Sequence, residues 1–95
     1  MNKQEHNEIF KTTAHLFREY SGKMVAILTK YYGIKQLENI MDAVQESFEA
    51  ALKHWRYKGM PNQPEAWLLT TAKNKLLNAI KKESTLASLQ ASLPN

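Results

Sequence analysis

Two groups of side chains in this sequence have types and spacing that could do chemistry. The first lies between Leu37 and Trp55, where Glu38, Asp42 and Glu46 recur every four residues with Gln45 and Glu49 beside them. On an α-helix that spacing stacks the carboxylates on one side, where each like-charged pair costs an isolated helix roughly 0.2–0.5 kcal/mol. No basic residue appears in this stretch before Lys53. Such a row is either a solvated acidic face or a docking surface for a basic partner, and on its own it does not choose between them. The second group begins at Arg56, Tyr57 and Lys58, continues with Asn62, and extends to Thr71, Asn74, Lys75, Asn78, Lys81 and Lys82. Cations neutralise phosphates and amides can bond to base edges, while an aromatic ring or a loop pocket can hold an unstacked base. This group suits a nucleic acid strand. Taken alone, Lys75, Lys81 and Lys82 are better explained as lysines that keep a helix soluble and favour its C-terminal dipole.

Other chemistry has little support. A di-metal helical bundle needs a Glu-x-x-His pattern on two helices, and the sequence has none. His6, His15 and His54 show no ligand spacing and are expected at the surface, His15 at the edge of the core. There is no cysteine, hence no disulfide framework and no thiolate chemistry. The three glycines, at 22, 33 and 59, are too scattered to form a phosphate-cradling loop. No metal, no cofactor and no enzymatic activity are expected.

The elements that must hold these groups are helical. Residues 8–32 read as a first helix, with Phe10, Thr13, Phe17, Tyr20, Met24, Leu28 and Tyr31 on one stripe, broadened by Ile9, Leu16 and Ile27. Gly22 interrupts this pattern as a bend or a tolerated defect. Gly33 suits a left-handed C-cap, with Ile34 packing back on the last turn. A second helix over about 36–55 puts Leu37, Ile40, Met41, Val44, Phe48, Leu52 and Trp55 on its apolar stripe, opposite the acidic row. Residues 56–63, RYKGMPNQ, read as a loop. A third helix over about 64–82 begins with Pro64 in its first turn and Asn62 and Glu65 spaced as a capping box. Its apolar stripe is Ala66, Leu69, Ala72, Leu76, Leu77 and Ile80. Residues 84–95, STLASLQASLPN, are expected to be a tail or linker, with Leu86, Leu89 and Leu93 supporting at most a short helical turn. Trp55 and Trp67 fall at core positions. The expected fold is all-α, an antiparallel bundle of three main helices.

Composition agrees with a small globular domain: 95 residues, 43% hydrophobic and 23% charged. The net charge of +4 is unevenly distributed, with +3 over residues 1–35, −4 over 36–52, +3 over 53–63 and +2 over 64–95. A basic chain with one acidic helix fits two partners, a polyanion for the basic parts and something else for the helix. No apolar run approaches the roughly 18 residues of a membrane span, and MNKQEHNEIF has no apolar core like that of a signal peptide. A cytoplasmic protein without membrane partners is expected.

Two stretches carry a family resemblance. Asp42-Ala43-Val44-Gln45-Glu46-Ser47-Phe48 resembles the D-x-x-Q-E-x-F signature of region 2 of bacterial RNA polymerase sigma factors. Ala66-Trp67-Leu68-Leu69-Thr70-Thr71-Ala72-Lys73-Asn74, ending in Ile80-Lys81-Lys82, resembles the A-W-L-x-x-x-A-x-N…R-R helix of the extracytoplasmic-function (ECF) group. Pro61-Asn62-Gln63-Pro64 is similar to a P-x-x-P entry in one subgroup. The likeness runs from about Leu16 to Glu83. It implies an acidic helix docked on the clamp coiled coil of the largest subunit of core RNA polymerase, a duty that falls on Asp42, Gln45 and Glu46, with Glu38 and Glu49 on the same face. It also implies that the loop 56–63 and the helix bearing Asn74, Asn78, Lys81 and Lys82 recognise and melt the promoter −10 element, capturing a non-template base outside the stack. An anti-sigma factor is a further partner that the resemblance admits.

The sequence departs from the family in two ways. Asn78 stands where the family usually has Asp, and Lys81-Lys82 replace arginines, whose phosphate geometry differs. Sigma factors also carry a second DNA-binding domain for the −35 element. Residues 1–83 are accordingly expected to be the region 2-like domain, with 84–95 starting a linker and the chain a fragment or a lone domain. Two other functions compete: a helical protein–protein adaptor using the acidic face alone, and a helix-turn-helix duplex binder. An eight-residue connection between the second and third helices is long for the three- or four-residue turn of the latter.

Overall fold

In the computed structural model, residues 3–92 are described, with side chains from residue 7 onward. Among the described residues the protein is all-α, with three helices and a single 3-10 turn. Helix α1 spans Lys3–Tyr32, the turn spans Ile34–Gln36, α2 spans Leu37–Lys58 and α3 spans Pro64–Ser92. Both α1 and α3 pack extensively on α2 and only lightly on each other. Helix α2 is thus the middle of the bundle, and each neighbour in sequence runs back along it. Phe17 of α1 meets Phe48 at mid-α2. Trp55 and Asn39, near opposite ends of α2, meet Trp67 near the start of α3 and Glu83 well along it. Contacts at both ends keep α2 and α3 side by side over their shared length, unlike the steep crossing of a helix-turn-helix pair.

Glycine ends the first two helices. Gly33 and Gly59 both have positive φ, 91° and 81°, a region that costs L-residues a clash at Cβ and costs glycine none. Each amide closes the preceding helix, Gly33 N–H donating to the Thr29 carbonyl at 2.8 Å and Gly59 N–H to the Trp55 carbonyl at 2.9 Å. Ile34 is exposed and does not pack back as expected. The third helix starts at Pro64 as its sequence suggests, but Gln63 rather than Asn62 accepts its first bond, from Trp67 N–H at 3.0 Å. The capping box of Asn62 and Glu65 is therefore one residue out of phase.

Three boundaries differ from expectation. Helix α1 begins at Lys3 and runs unbroken through Gly22. Helix α2 continues to Lys58, so Arg56, Tyr57 and Lys58 form its last turn instead of a loop, and the connection shrinks to Gly59–Gln63. Helix α3 continues through Ser84–Ser92 where a tail was expected. Leu86 and Leu89 are exposed there, and Leu93 lies outside the described residues.

The core contains Ile9, Leu16, Met24 and Leu28 of α1, Ile40, Ala43, Val44, Phe48, Ala51 and Trp55 of α2, and Leu68, Ala72 and Leu76 of α3. The expected stripes have the right period and a shifted phase. Phe10, Phe17, Tyr31, Met41 and Leu77 are exposed, while Ala43, Ala51, Leu68 and Ser47 are buried. Asn39 and Trp55 both touch α3, so Ala43, Ser47 and Ala51 lie in the row between them. Their small side chains let the two backbones approach. Buried Ser47 satisfies its hydroxyl on the Val44 carbonyl at 2.6 Å, and buried Thr13 does so on Ile9 at 2.7 Å.

The glycines give opposite tests of this account. A Cβ at Gly22 meets nothing within 4 Å and φ there is helical, whereas at Gly59 the space is open but φ is positive. Gly22→Ala is expected to stabilise the protein by about 0.5–1 kcal/mol. Gly59→Ala is expected to destabilise it by about 1–2 kcal/mol, both read from urea unfolding.

Candidate docking face and nucleic-acid interface

The acidic residues stand where the helical period places them. A helix turns about 100° per residue, so Glu38, Asp42, Gln45, Glu46 and Glu49 share one arc of α2, and all five are exposed. Gln45 Nε2 donates to Glu49 Oε1 at 3.3 Å. Packing of α2 on both neighbours leaves this arc as the side turned away from the core.

The arc has an apolar border that the sequence pattern assigned to the core. Exposed Met41 lies on α2 beside it, and Phe10 and Phe17 rise from α1. The Phe17 ring meets the Phe48 ring edge-on at 5.1 Å and 82°, an aromatic geometry favoured by the ring quadrupoles. Between α1 and α2 runs an open groove of about 560 Å³ lined by Phe10, Phe17, Arg18, Gln45, Phe48, Glu49 and Leu52 among others. A partner meeting the carboxylates would meet apolar surface at the same time.

The residues expected to meet nucleic acid are spread more widely. Asn74, Asn78, Lys81 and Lys82 are exposed on α3, with Thr71 half-buried. Asn78, Lys81 and Lys82 share a shallow cavity of about 450 Å³ with Thr85, Leu86 and Leu89. Those last three residues were missed because the sequence pattern ends the helix at Lys82. Lys75 is half-buried at the α2–α3 seam, lining a cavity with Glu46, Glu49, Lys53 and His54. Its ammonium therefore stands next to the acidic arc.

On the last turn of α2, Arg56, Tyr57 and Lys58 point in three directions about 100° apart. Arg56 falls in line with Glu49 and Leu52, Tyr57 with Ala50 and Lys53, and Lys58 with His54. The three do not form one contact surface. Tyr57 is the most exposed of the large hydrophobic residues, at 88%. Asn62 is exposed in the loop and lines a cavity of about 510 Å³ with Tyr20, Gln63, Pro64, Glu65, Ala66 and Leu69. This cavity, on the α3 side of the loop, does not include Arg56, Tyr57 or Lys58.

Trp55 is buried and Trp67 half-buried, their rings 5.3 Å apart at 62°, with exposed His54 edge-on to Trp67 at 5.8 Å. The tryptophans join α2 to α3 and are structural. His15 is exposed, not at the core edge, and the side chain of His6 lies outside the described residues. Among the described residues no three His, Cys, Asp or Glu side chains come together as a metal site, and no helix is long and apolar enough to cross a membrane.

The sequence matches a known family. Residues 16–85 match the family model of sigma-70 region 2. The chain belongs to this family, whose domain takes part in core polymerase binding and promoter −10 recognition. Neither a curated protein nor a solved structure matches it.

Tyr20 supplies a pH test of how α3 starts. Its burial, and secondarily the charge of Glu65, push the phenol above its ordinary value of 10.0. The folded state thus retains the phenol proton where the unfolded chain has already released it. Below pH 10 both states hold the proton, and above it the unfolded chain gains from ionising first. The native state is therefore at full strength below pH 10 and weakens as pH rises through the folded pKa. Tyr20→Phe should flatten the fall of stability with pH above 10, and Glu65→Gln should reduce it in part, both measured by urea midpoints across alkaline pH.

Proposed function

We propose that this chain is the polymerase-binding and promoter-melting domain of an ECF-type sigma factor and acts by binding, not by catalysis. The observation that carries this reading is the exposed acidic arc of α2, Glu38, Asp42, Gln45, Glu46 and Glu49, on a helix whose other sides are covered by α1 and α3. Like charges at this spacing repel, and a basic coiled coil would relieve that repulsion. Core RNA polymerase is the partner, through the clamp coiled coil of its largest subunit. The groove bordered by Phe10 and Phe17 would add apolar contact to a charge-led encounter.

The promoter strand belongs to a second surface. Lys81 and Lys82 would meet phosphates, which fix register without reading sequence. Asn74 and Asn78 carry amides that can pair with base edges. The cavity lined by Asn62 and Gln63 would take a non-template base extracted from the −10 element, reading it by its hydrogen-bonding edge. Thr71 shares the face of α3 that carries Asn74 and Asn78, and Tyr57 would add an exposed ring at the end of α2. Lys75, at the seam beside the acidic arc, would add charge, and Arg56 and Lys58 contribute charge more than recognition. Residues 1–83 form the binding unit, and 84–95 lead out of it. The protein works in the cytoplasm, where the polymerase is, and an anti-sigma factor would regulate it by covering either surface.

A crossed binding experiment tests the assignment. Asp42→Lys with Glu46→Lys should abolish capture by the clamp coiled coil and leave the melting temperature equal or higher, since repulsion within α2 is relieved. Lys81→Gln with Lys82→Gln should leave that capture intact. It should weaken binding of polymerase-assembled chain to bubble DNA and lower the salt slope by ~0.7 for each single-strand phosphate no longer neutralised. Clamp capture without any DNA dependence would favour the adaptor function, and unfolding of the acidic variant would make the arc structural.

A further inference from the structure

The C-terminal end of α1 carries chemistry that neither surface above uses. Tyr31 is 78% exposed and Tyr32, next to it, is half-buried against the core. Both line a small open cavity of about 200 Å³ with Ile27, Leu28, Leu69 and Lys73. Lys73 lies on α3, one residue from Asn74, so the cavity bridges the end of α1 and the flank of the face bearing Asn74 and Lys81. Lys30 and Lys35 are exposed on either side of the tyrosine pair in sequence. None of the residues lining the cavity is acidic. Lys73 is the one charged residue lining the cavity, which is therefore cationic.

A core-directed explanation accounts for Leu28 and for the packed side of Tyr32. It does not account for Tyr31, which leaves most of its ring in solvent beside a lysine from another helix. An aromatic face next to fixed cations attracts a chain that alternates flat rings with negative charges, and a single-stranded nucleic acid has that repeat. A duplex keeps its bases stacked inside and offers the ring no face. An acidic peptide would use the lysines but would leave the tyrosines without partners.

We infer that Tyr31, Tyr32 and Lys73 form a stacking platform for one unpaired base of a single strand, with Lys30 and Lys35 holding its flanking phosphates. The platform extends the strand's track from α3 onto α1. It rests on the reading that the chain binds single-stranded DNA, and it adds a contact separate from the loop cavity at Asn62 and Gln63.

The test is fluorescence anisotropy of the full chain with labelled oligo-deoxythymidine strands, with circular dichroism as the check on folding. Tyr31→Ala should weaken binding by about tenfold, as removal of one base–aromatic stack does, while Tyr31→Phe should bind like the parent. Lys73→Gln should weaken binding less and lower the salt slope by ~0.7. Lys81→Gln with Lys82→Gln serves as the reference for the α3 track. If Tyr31→Ala binds like the parent while the lysine pair variant is weakened, the platform is wrong and the α3 track stands. If Tyr31→Phe loses as much as Tyr31→Ala, the ring acts through its hydroxyl and stacking is refuted. If the parent chain itself binds no single strand, the platform falls together with the strand-binding reading.

Discussion

The fold depends on how closely α3 approaches α2. Ala43, Ser47 and Ala51 form a buried row of small side chains, and at its ends Trp55 meets Trp67 and Asn39 Nδ2 donates to Glu83 Oε1 at 2.8 Å. Small residues between two larger contacts let the helices pack along their shared length with few voids, which dense protein interiors require. Phe48 and Val44 then cover the adjacent side of α2 and receive α1. A helix covered on two sides keeps one free arc. That arc holds the carboxylates, so the packing of the core decides where the charge appears on the surface.

Separation of charge follows from that geometry. The residues with −4 net charge, 36–52, fall on the central helix, and the basic residues fall largely on its neighbours and at its end. Lys53 and Lys75, which line one cavity with Glu46 and Glu49, and Arg18, which lines the groove with Glu49, border the arc. A polyanion approaching the exposed face of α3 is not forced across the acidic arc. A basic partner on the arc can be drawn in from a distance by its field, an effect that weakens with salt.

The helical class and the acidic arc of α2 were legible in the sequence, because they rest on periodicity. Phase was harder to read. Phe10, Phe17 and Met41 fit a helical stripe as well as Ile9, Leu16 and Ala43 do, and only the directions of two packing neighbours decide between them. Alanine and serine have little hydropathy signal, so the row that brings α3 close was not visible. Gly59 ended α2 three residues after the boundary read from the pattern, since punctuation locates a loop more loosely than a positive φ does. That shift moved Arg56, Tyr57 and Lys58 from a shared loop to three directions. The extension of α3 over Ser84–Ser92 was missed because its Ser/Ala/Leu composition suits a linker as well as a helix continuing from an established one. Continuing a formed helix avoids the nucleation cost that an isolated segment of that length faces. The family signature supplied what periodicity could not, namely the family and with it core polymerase and promoter DNA as the partners it implies.

The central claim is that two partners occupy two separate surfaces of one small bundle. Amide and side-chain NMR shifts of the full chain, titrated first with the clamp coiled coil and then with a single-stranded −10-like oligonucleotide, test it most directly. The coiled coil should perturb Glu38, Asp42, Gln45, Glu46, Glu49 and the neighbouring Phe10, Phe17 and Met41. The oligonucleotide, added to that complex, should perturb Asn62, Asn74, Asn78, Lys81 and Lys82 without displacing the coiled coil. Displacement, or one set of residues responding to both ligands, would contradict the account.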